Sequence, residues 1–168
     1  SNMLPKWKFK VYESIDTSPA VSDGVVYCGN RDGIRLEKYH LYAVDAKTGA
    51  EQWKFPTNQD NHFSLNTPAV SDGIVYVGSY DNHLYALDAK TGKEQWKFET
   101  GSWINDTTIS PTVLDGIVYC GNDDNHLYAL DAKTGKEQWK FETGGSVTSS
   151  PTVSDGIVYV GCYDGHLY

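Results

Sequence analysis

The stretch from Ala86 to Gly101 returns letter for letter from Ala129 to Gly144. A looser copy starts at Ala43, and a truncated fourth unit ends in His166, Leu167 and Tyr168. Trp53, Trp96 and Trp139 stand 43 residues apart, the length range of one propeller blade. A repeat of that length, dense in β-formers and turn residues, cannot bury both of its faces alone, so neighbouring units must stack to make a core. A β-sandwich is the runner-up, but it does not require a constant period.

The third unit serves as a template. Residues 109–113 read as a short first strand, and Asp115-Gly116 is a dipeptide suited to a tight hairpin turn with φ > 0 at both positions. Residues 117–121 are a second strand, apolar on both faces as in a sheet sandwiched between two others. Strands over 126–131 and 137–142 follow, and in the last of them Trp139 and Phe141 share one face by the period of two. The Asp-Gly turn recurs at Asp23-Gly24, Asp72-Gly73 and Asp155-Gly156. Four short strands, tight turns and no helical pattern per unit predict an all-β propeller of four-stranded antiparallel blades. The whole chain, 1–168, is one domain or half-propeller, with repeats at about 17–57, 66–100, 109–143 and 149–168. Residues 5–11 match the outer strand that the fourth unit lacks and are expected to complete the last blade. That closure runs either within one chain or between two copies, four blades per chain and eight per homodimer.

Alanine, aspartate, glycine and tryptophan recur in one spacing: Ala43/Asp45/Gly49/Trp53, Ala86/Asp88/Gly92/Trp96 and Ala129/Asp131/Gly135/Trp139. This resembles the tryptophan-docking motif of the pyrroloquinoline-quinone-repeat β-propellers, and the resemblance covers nearly the whole chain. It implies an eight-bladed ring in which each tryptophan stacks between blades, giving Trp7, Trp53, Trp96, Trp139, Gly49, Gly92 and Gly135 docking roles. Some members are quinoprotein dehydrogenases. Others are non-catalytic, among them the outer-membrane barrel assembly lipoprotein. The fourth unit lacks the Ala-x-Asp-x-x-x-Gly segment, and the natural protein either continues beyond Tyr168 or pairs with a second chain.

The dehydrogenases of that family carry adjacent cysteines, a metal held by Glu, Asn and Asp, and a catalytic Asp. Cys28, Cys120 and Cys162 include no adjacent pair, and no set here matches the metal motif. No cofactor, metal site or catalytic residue is therefore expected. His40, His83, His126 and His166 each open the same strand of their own unit, which favours packing over metal ligation. Asp123-Asp124-Asn125 lacks the ligand spacing of a calcium loop and reads as a turn. The Asp45, Asp88 and Asp131 series reads as turn caps. Three cysteines do not make a disulfide framework; Cys28 and Cys120 fill the slot that Val77 and Val160 fill elsewhere. A net charge of −8 argues against nucleic acid, which needs a basic surface. No apolar run approaches the ~18 residues of a membrane helix. Ser1-Asn2 looks like a protease scar. With Met3 as the native start the protein stays in the cytosol; otherwise it belongs to the cell envelope or outside.

Residues that break the repeat are free for something other than scaffold. Phe63 and Trp103 are the aromatics out of register among Phe and Trp, and both fall in links between blades. The spans from Trp53 to Asp72 and from Trp96 to Asp115 are 19 residues, against 16 for the other two. The first unit also has a longer loop, 31–39. These irregularities are expected on one side of the ring, the arrangement by which rigid scaffolds bind partners. They define a candidate ligand-binding face of Phe63, Trp103, Asn61, His62, Asn105, Asp106, Arg31 and Arg35, edged by Tyr80 and Tyr163. The competing reading has Phe63 and Trp103 plug the central channel. The function expected is a non-catalytic scaffold or binding module for a protein or small ligand. The alternatives are a fragment of a quinoprotein dehydrogenase and a carbohydrate or peptide binder.

Overall fold

The computed structural model describes residues 4–11, 14–15, 17–30, 40–56, 65–79, 81–101 and 110–168. Among them are strands and turns and no helix. The first blade is β1 (Ala20–Ser22), β2 (Val25–Gly29), β3 (His40–Asp45) and β4 (Glu51–Pro56). The second is β5 (Ala69–Ser71), β6 (Ile74–Ser79), β7 (His83–Asp88) and β8 (Glu94–Glu99). The third is β9 (Thr112–Leu114), β10 (Ile117–Gly121), β11 (His126–Asp131) and β12 (Glu137–Glu142). Each is a four-stranded sheet with strands in chain order, antiparallel throughout. The fourth blade has β13 (Thr152–Ser154) and β14 (Ile157–Tyr159). A third segment is begun by the Gly161–Leu167 bridge and the reciprocal backbone bonds between Val160 and Tyr168, 3.0 and 2.9 Å.

The first hairpin of every blade turns on Asp-Gly with both residues at positive φ, as in Asp72 (50°) and Gly73 (75°). That is the twist-matched turn for a two-residue hairpin. The ladders between third and fourth strands shift register beside the tryptophan, between Ala86 and Leu87 in the second blade and at the matching places in the first and third. A bulge there adds twist and re-aims the side chain.

The apolar residues gather in the seams between sheets. Tyr27, Leu41, Trp53, Leu65, Val75, Val77, Tyr85 and Leu87 join blades one and two. Ile74, Tyr76, Leu84, Val118, Cys120, Tyr128 and Leu130 join blades two and three. A strand such as β6, with residues from Ile74 to Val77 all buried, is apolar on both faces because it borders two seams. The third-to-fourth seam is thinner, with Leu127, Val147 and Val160 at its centre.

Among the strands, β1 adjoins β5, β5 adjoins β9 and β9 adjoins β13, and β13 does not meet β1. The four blades form an arc. Residues 5–11 pack on the first blade, where Trp7, Phe9 and Val11 cover Cys28, Tyr42 and Val44. They make no backbone pairing with the last sheet of their own chain among the described residues. At the trailing end Trp139 is 39 % exposed and Phe141 48 %, whereas Trp53, with a full blade beyond it, is 9 % exposed.

Candidate binding face

The seams are held by a repeated lock. Trp53 Nε1 donates to Ala89 O at 3.0 Å, Trp96 Nε1 to Ala132 O at 3.1 Å and Trp7 Nε1 to Ala46 O at 3.0 Å. Each indole lies flat against a glycine of the next turn. A Cβ on Gly92 would sit 2.6 Å from Trp53 Cε3, and one on Gly135 2.6 Å from Trp96 Cδ2. Tyr27 and Tyr76 add second donors to the same carbonyls, at 3.2 and 3.0 Å. Asp88 fixes the receiving turn, its Oδ1 accepting from Lys90 N at 3.1 Å and from Thr91 N and Oγ1 at 2.8 Å. The Thr91 hydrogen bonds favour the charged carboxylate and hold Asp88 below the usual range. Asp45 and Asp131 repeat the arrangement through Thr48 and Thr134. These aspartates are scaffold.

A second motif holds the turns at the other end of the sheets. Asp81 accepts from His83 N at 3.2 Å and from Tyr85 Oη at 2.6 Å, while His83 Nδ1 lies 2.8 Å from Asp81 O. Asp124 accepts from His126 N at 3.0 Å, Gly101 N at 3.1 Å and Tyr128 Oη. Asp164 accepts from His166 N at 3.0 Å and Tyr168 Oη at 2.6 Å. Burial first, and the aspartate bond second, push the Tyr85 and Tyr128 hydroxyls well above their ordinary value. The histidines thus serve separate turns in separate sheets, and no metal-ligating group of three occurs among the described residues. From the sequence, the histidines read as strand-opening packing residues and Asp124 as part of a turn, with no link between them. The recurrence of Asp-x-His-x-Tyr at 81–85, 124–128 and 164–168 is the signal that marks it as one unit.

Arg31, Arg35, Asn61, His62, Phe63, Tyr80, Trp103, Asn105 and Asp106 lie outside the described residues. Tyr163 is described and is 71 % exposed, with its backbone N donating to Ser146 O at 2.9 Å. The described residues that bracket the irregular segments share one end of the sheets. His40 pairs with Pro56, Ser79 with both His83 and Leu65, and Thr100 N donates to Asn82 O at 2.8 Å. The Asp-Gly hairpins and docking turns occupy the opposite end, tied together by bonds such as Ala89 N to Gly73 O at 2.9 Å. The described residues His40, Pro56, Leu65 and Thr100, which flank those stretches, therefore lie at the same end of the sheets.

At that end the structure adds a feature the sequence reading missed. A cavity of about 20 Å³ opens between blades two and three, lined by Asn66, Ser79, His83, Thr100, Cys120 and Asn122 among others. That is room for a single water. Ser79 Oγ and both polar atoms of the Asn122 side chain are buried with no protein partner among the described residues, and such atoms call for a bridging water. The sequence signal is Gly78-Ser79 and Gly121-Asn122, polar residues at the matching ends of otherwise apolar strands.

The three thiols are free and buried. Cys28 packs with Tyr42 and Val44. Cys120 sits in the second seam, where burial pushes its thiol up to about 12. Cys162 Sγ donates to Gly145 O at 3.1 Å. Each belongs to a different blade.

A family model described as outer membrane protein assembly factor BamB matches residues 5–68 and 37–168. No curated protein sequence matches significantly. Among solved structures, BamB from Moraxella catarrhalis is 27 % identical with a TM-score of 0.80, covering 96 % of this chain and 48 % of that one. The computationally designed Ika4 protein, 22 % identical with a TM-score of 0.78, covers 95 % and 91 % and shares the fold. Quinohemoprotein alcohol dehydrogenase ADHIIG from Pseudomonas putida HK5 is 25 % identical with a TM-score of 0.73, covering 93 % and 29 %. The chain thus spans about half the length of the BamB structure it matches and under a third of the dehydrogenase.

Proposed function

We propose that this chain, which belongs to the pyrroloquinoline-quinone-repeat β-propeller family described as outer membrane protein assembly factor BamB, works as a non-catalytic scaffold that binds a protein partner in the cell envelope. The observation that supports this reading is that described residues flanking the three repeat-breaking stretches, His40 and Pro56, Leu65 and Ser79, and Thr100, lie at one end of blades locked at the other by the tryptophan–glycine seams. A rigid frame with irregular segments on one side is how repeat folds present binding surfaces. Phe63 and Trp103 are the anchors on this reading, with Asn61, His62, Asn105, Asp106, Arg31, Arg35, Tyr80 and Tyr163 around them. The placement of the three thiols in different blades supports a function without bound quinone.

The test has two arms. Titration with pyrroloquinoline quinone and calcium, followed by absorption and by alcohol-dependent dye reduction, is expected to give neither saturable binding nor turnover; turnover would replace the scaffold with a dehydrogenase. In the second arm, in-cell cross-linking of the source organism identifies a partner, and purified partner is titrated against Phe63→Ala/Trp103→Ala. Unchanged melting with affinity lost supports the face. A large loss of melting temperature with affinity retained assigns the two rings to a structural plug.

A further inference from the structure

A glycine near the end of each second strand is followed by a buried residue: Asn30, Ser79, Asn122 and Cys162, none more than 9 % exposed. In the first blade that side chain has a scaffold task, Asn30 Oδ1 accepting from His40 N at 2.7 Å. In the other three an aspartate holds the matching backbone N–H. Asp81 accepts from His83 N at 3.2 Å, and Asp124 and Asp164 accept from His126 N and His166 N, both at 3.0 Å. The side chain after the glycine is thereby released from the turn. Cys162 turns its thiol to Gly145 O at 3.1 Å. Ser79 Oγ and the Asn122 amide, each residue 1 % exposed, meet no protein partner among the described residues. These two residues line one cavity, Ser79 from blade two and Asn122 from blade three.

The chemistry of the lining selects the occupant. Asn122 offers a donor and an acceptor, whichever way its amide is turned, and Ser79 offers either. His83, part-exposed, lines the cavity too. Its Nδ1 sits 2.8 Å from Asp81 O, which only accepts, so in the neutral ring the proton is on Nδ1 and Nε2 is left as an acceptor. No Lys, Arg, Asp or Glu lines the cavity among the described residues, so a charged ligand would be buried without a counter-charge. A volume of about 20 Å³ admits one water-sized atom, which leaves out a carboxamide or a carboxyl group. A single uncharged atom that both donates and accepts is a hydroxyl oxygen. We propose that the cavity is a subsite for one alcohol hydroxyl, held by a water in the free protein and taken over by the hydroxyl of a ligand. None of its lining residues belongs to the face around Phe63 and Trp103, so the subsite stands or falls apart from that reading.

Proton–nitrogen correlation spectra of the folded chain, with the Asn122 side-chain amide assigned by Asn122→Ser, read the site. In the free protein that amide is expected to show a rotating-frame cross-peak to a long-lived water. Methanol is expected to shift the amide saturably and erase the cross-peak, with a dissociation constant of about 10 mM to 1 M for so few atoms. N-acetylserinamide and ethylene glycol separate the sources of the hydroxyl. Matching shifts with N-acetylserinamide assign the subsite to a serine or threonine side chain, and shifts with methanol and ethylene glycol alone assign it to a free alcohol. Ser79→Ala, which removes one oxygen, is expected to weaken methanol binding about three- to ten-fold. No saturable shift with any of the three alcohols overturns the proposal, as does an equal shift with N-acetylalaninamide, which lacks the hydroxyl. So does unchanged methanol affinity in Ser79→Ala, or uptake of xenon, which marks a dry cavity.

Discussion

Gly92→Ala tests the seam directly. Gly92 stands at φ +70°, and an added Cβ would lie 2.6, 2.7 and 3.2 Å from Trp53 Cε3, Cδ2 and Cγ. Two costs add. Holding a residue with a Cβ in the left-handed region costs about 1–2 kcal/mol. The methyl must also displace a 9 %-exposed indole that is held by its 3.0 Å bond to Ala89 O. Overpacking of this kind costs about 1–3 kcal/mol, and losing the hydrogen bond about 0.5–1.5 kcal/mol. Gly73→Ala is the internal control, because Gly73 has φ +75° and nothing within 4 Å of its Cβ position. It should suffer the backbone cost alone. The difference between the variants is then about 1.5–4.5 kcal/mol, or roughly 3–18 °C of melting temperature at about 2–4 °C per kcal/mol. Circular dichroism gives the melting temperature, and tryptophan emission, red-shifted as Trp53 meets water, reports the seam. Equal destabilisation by the two substitutions would refute the reasoning, because the indole would then not be confined by that glycine.

Two pH effects follow from the same turns and seams. Asp45, Asp88, Asp131 and Asp164 are all held below their ordinary 3.8 by hydrogen bonds to the charged carboxylate; the unfolded chain therefore binds more protons near that value, so stability is full above it and falls as pH drops through about 4 and below. Urea midpoints at pH 7, 4 and 3 should show this fall, made shallower by Asp88→Asn with Asp131→Asn. At the alkaline limb, burial raises Cys120 from 9.0 and Tyr76 from 10.0, each to about 12, so their contribution is complete below pH 9 and fades as pH rises through 9 to 12. Ellman's reagent at pH 8 should leave Cys120 unmodified in the folded chain and modify it promptly in urea.

The blades were legible because their signals are local. The third and fourth strands of the second and third blades follow from the alternation in His-Leu-Tyr-Ala-Leu-Asp and Glu-Gln-Trp-Lys-Phe-Glu, and the first hairpins follow from Asp-Gly. The first strands were less so: residues 109–113 read as a strand, and the ladder forms at Thr112–Leu114, since Pro111 has no backbone N–H to give. The Asp81–His83–Tyr85 trio escaped notice because each residue has an ordinary turn or strand role alone, and its coherence lies in bonds made after the chain has turned. The cavity beside Ser79 and Asn122 escaped for a related reason, as it belongs to two blades at once.

By itself the sequence determined the repeat, the strand pairing within each unit and the need for units to stack, because a two-residue period and a positive-φ turn act over a few residues. Only the tertiary structure decided which unit each tryptophan serves. Trp53 leaves the first blade and rests on Gly92 of the second, Trp96 passes on to Gly135, and Trp7 rests on Gly49 of the first. It alone decided that β13 stands apart from β1. The angle between stacked sheets is set by side chains meeting across each seam, and that angle accumulates over the whole molecule, where no run of neighbouring residues records it.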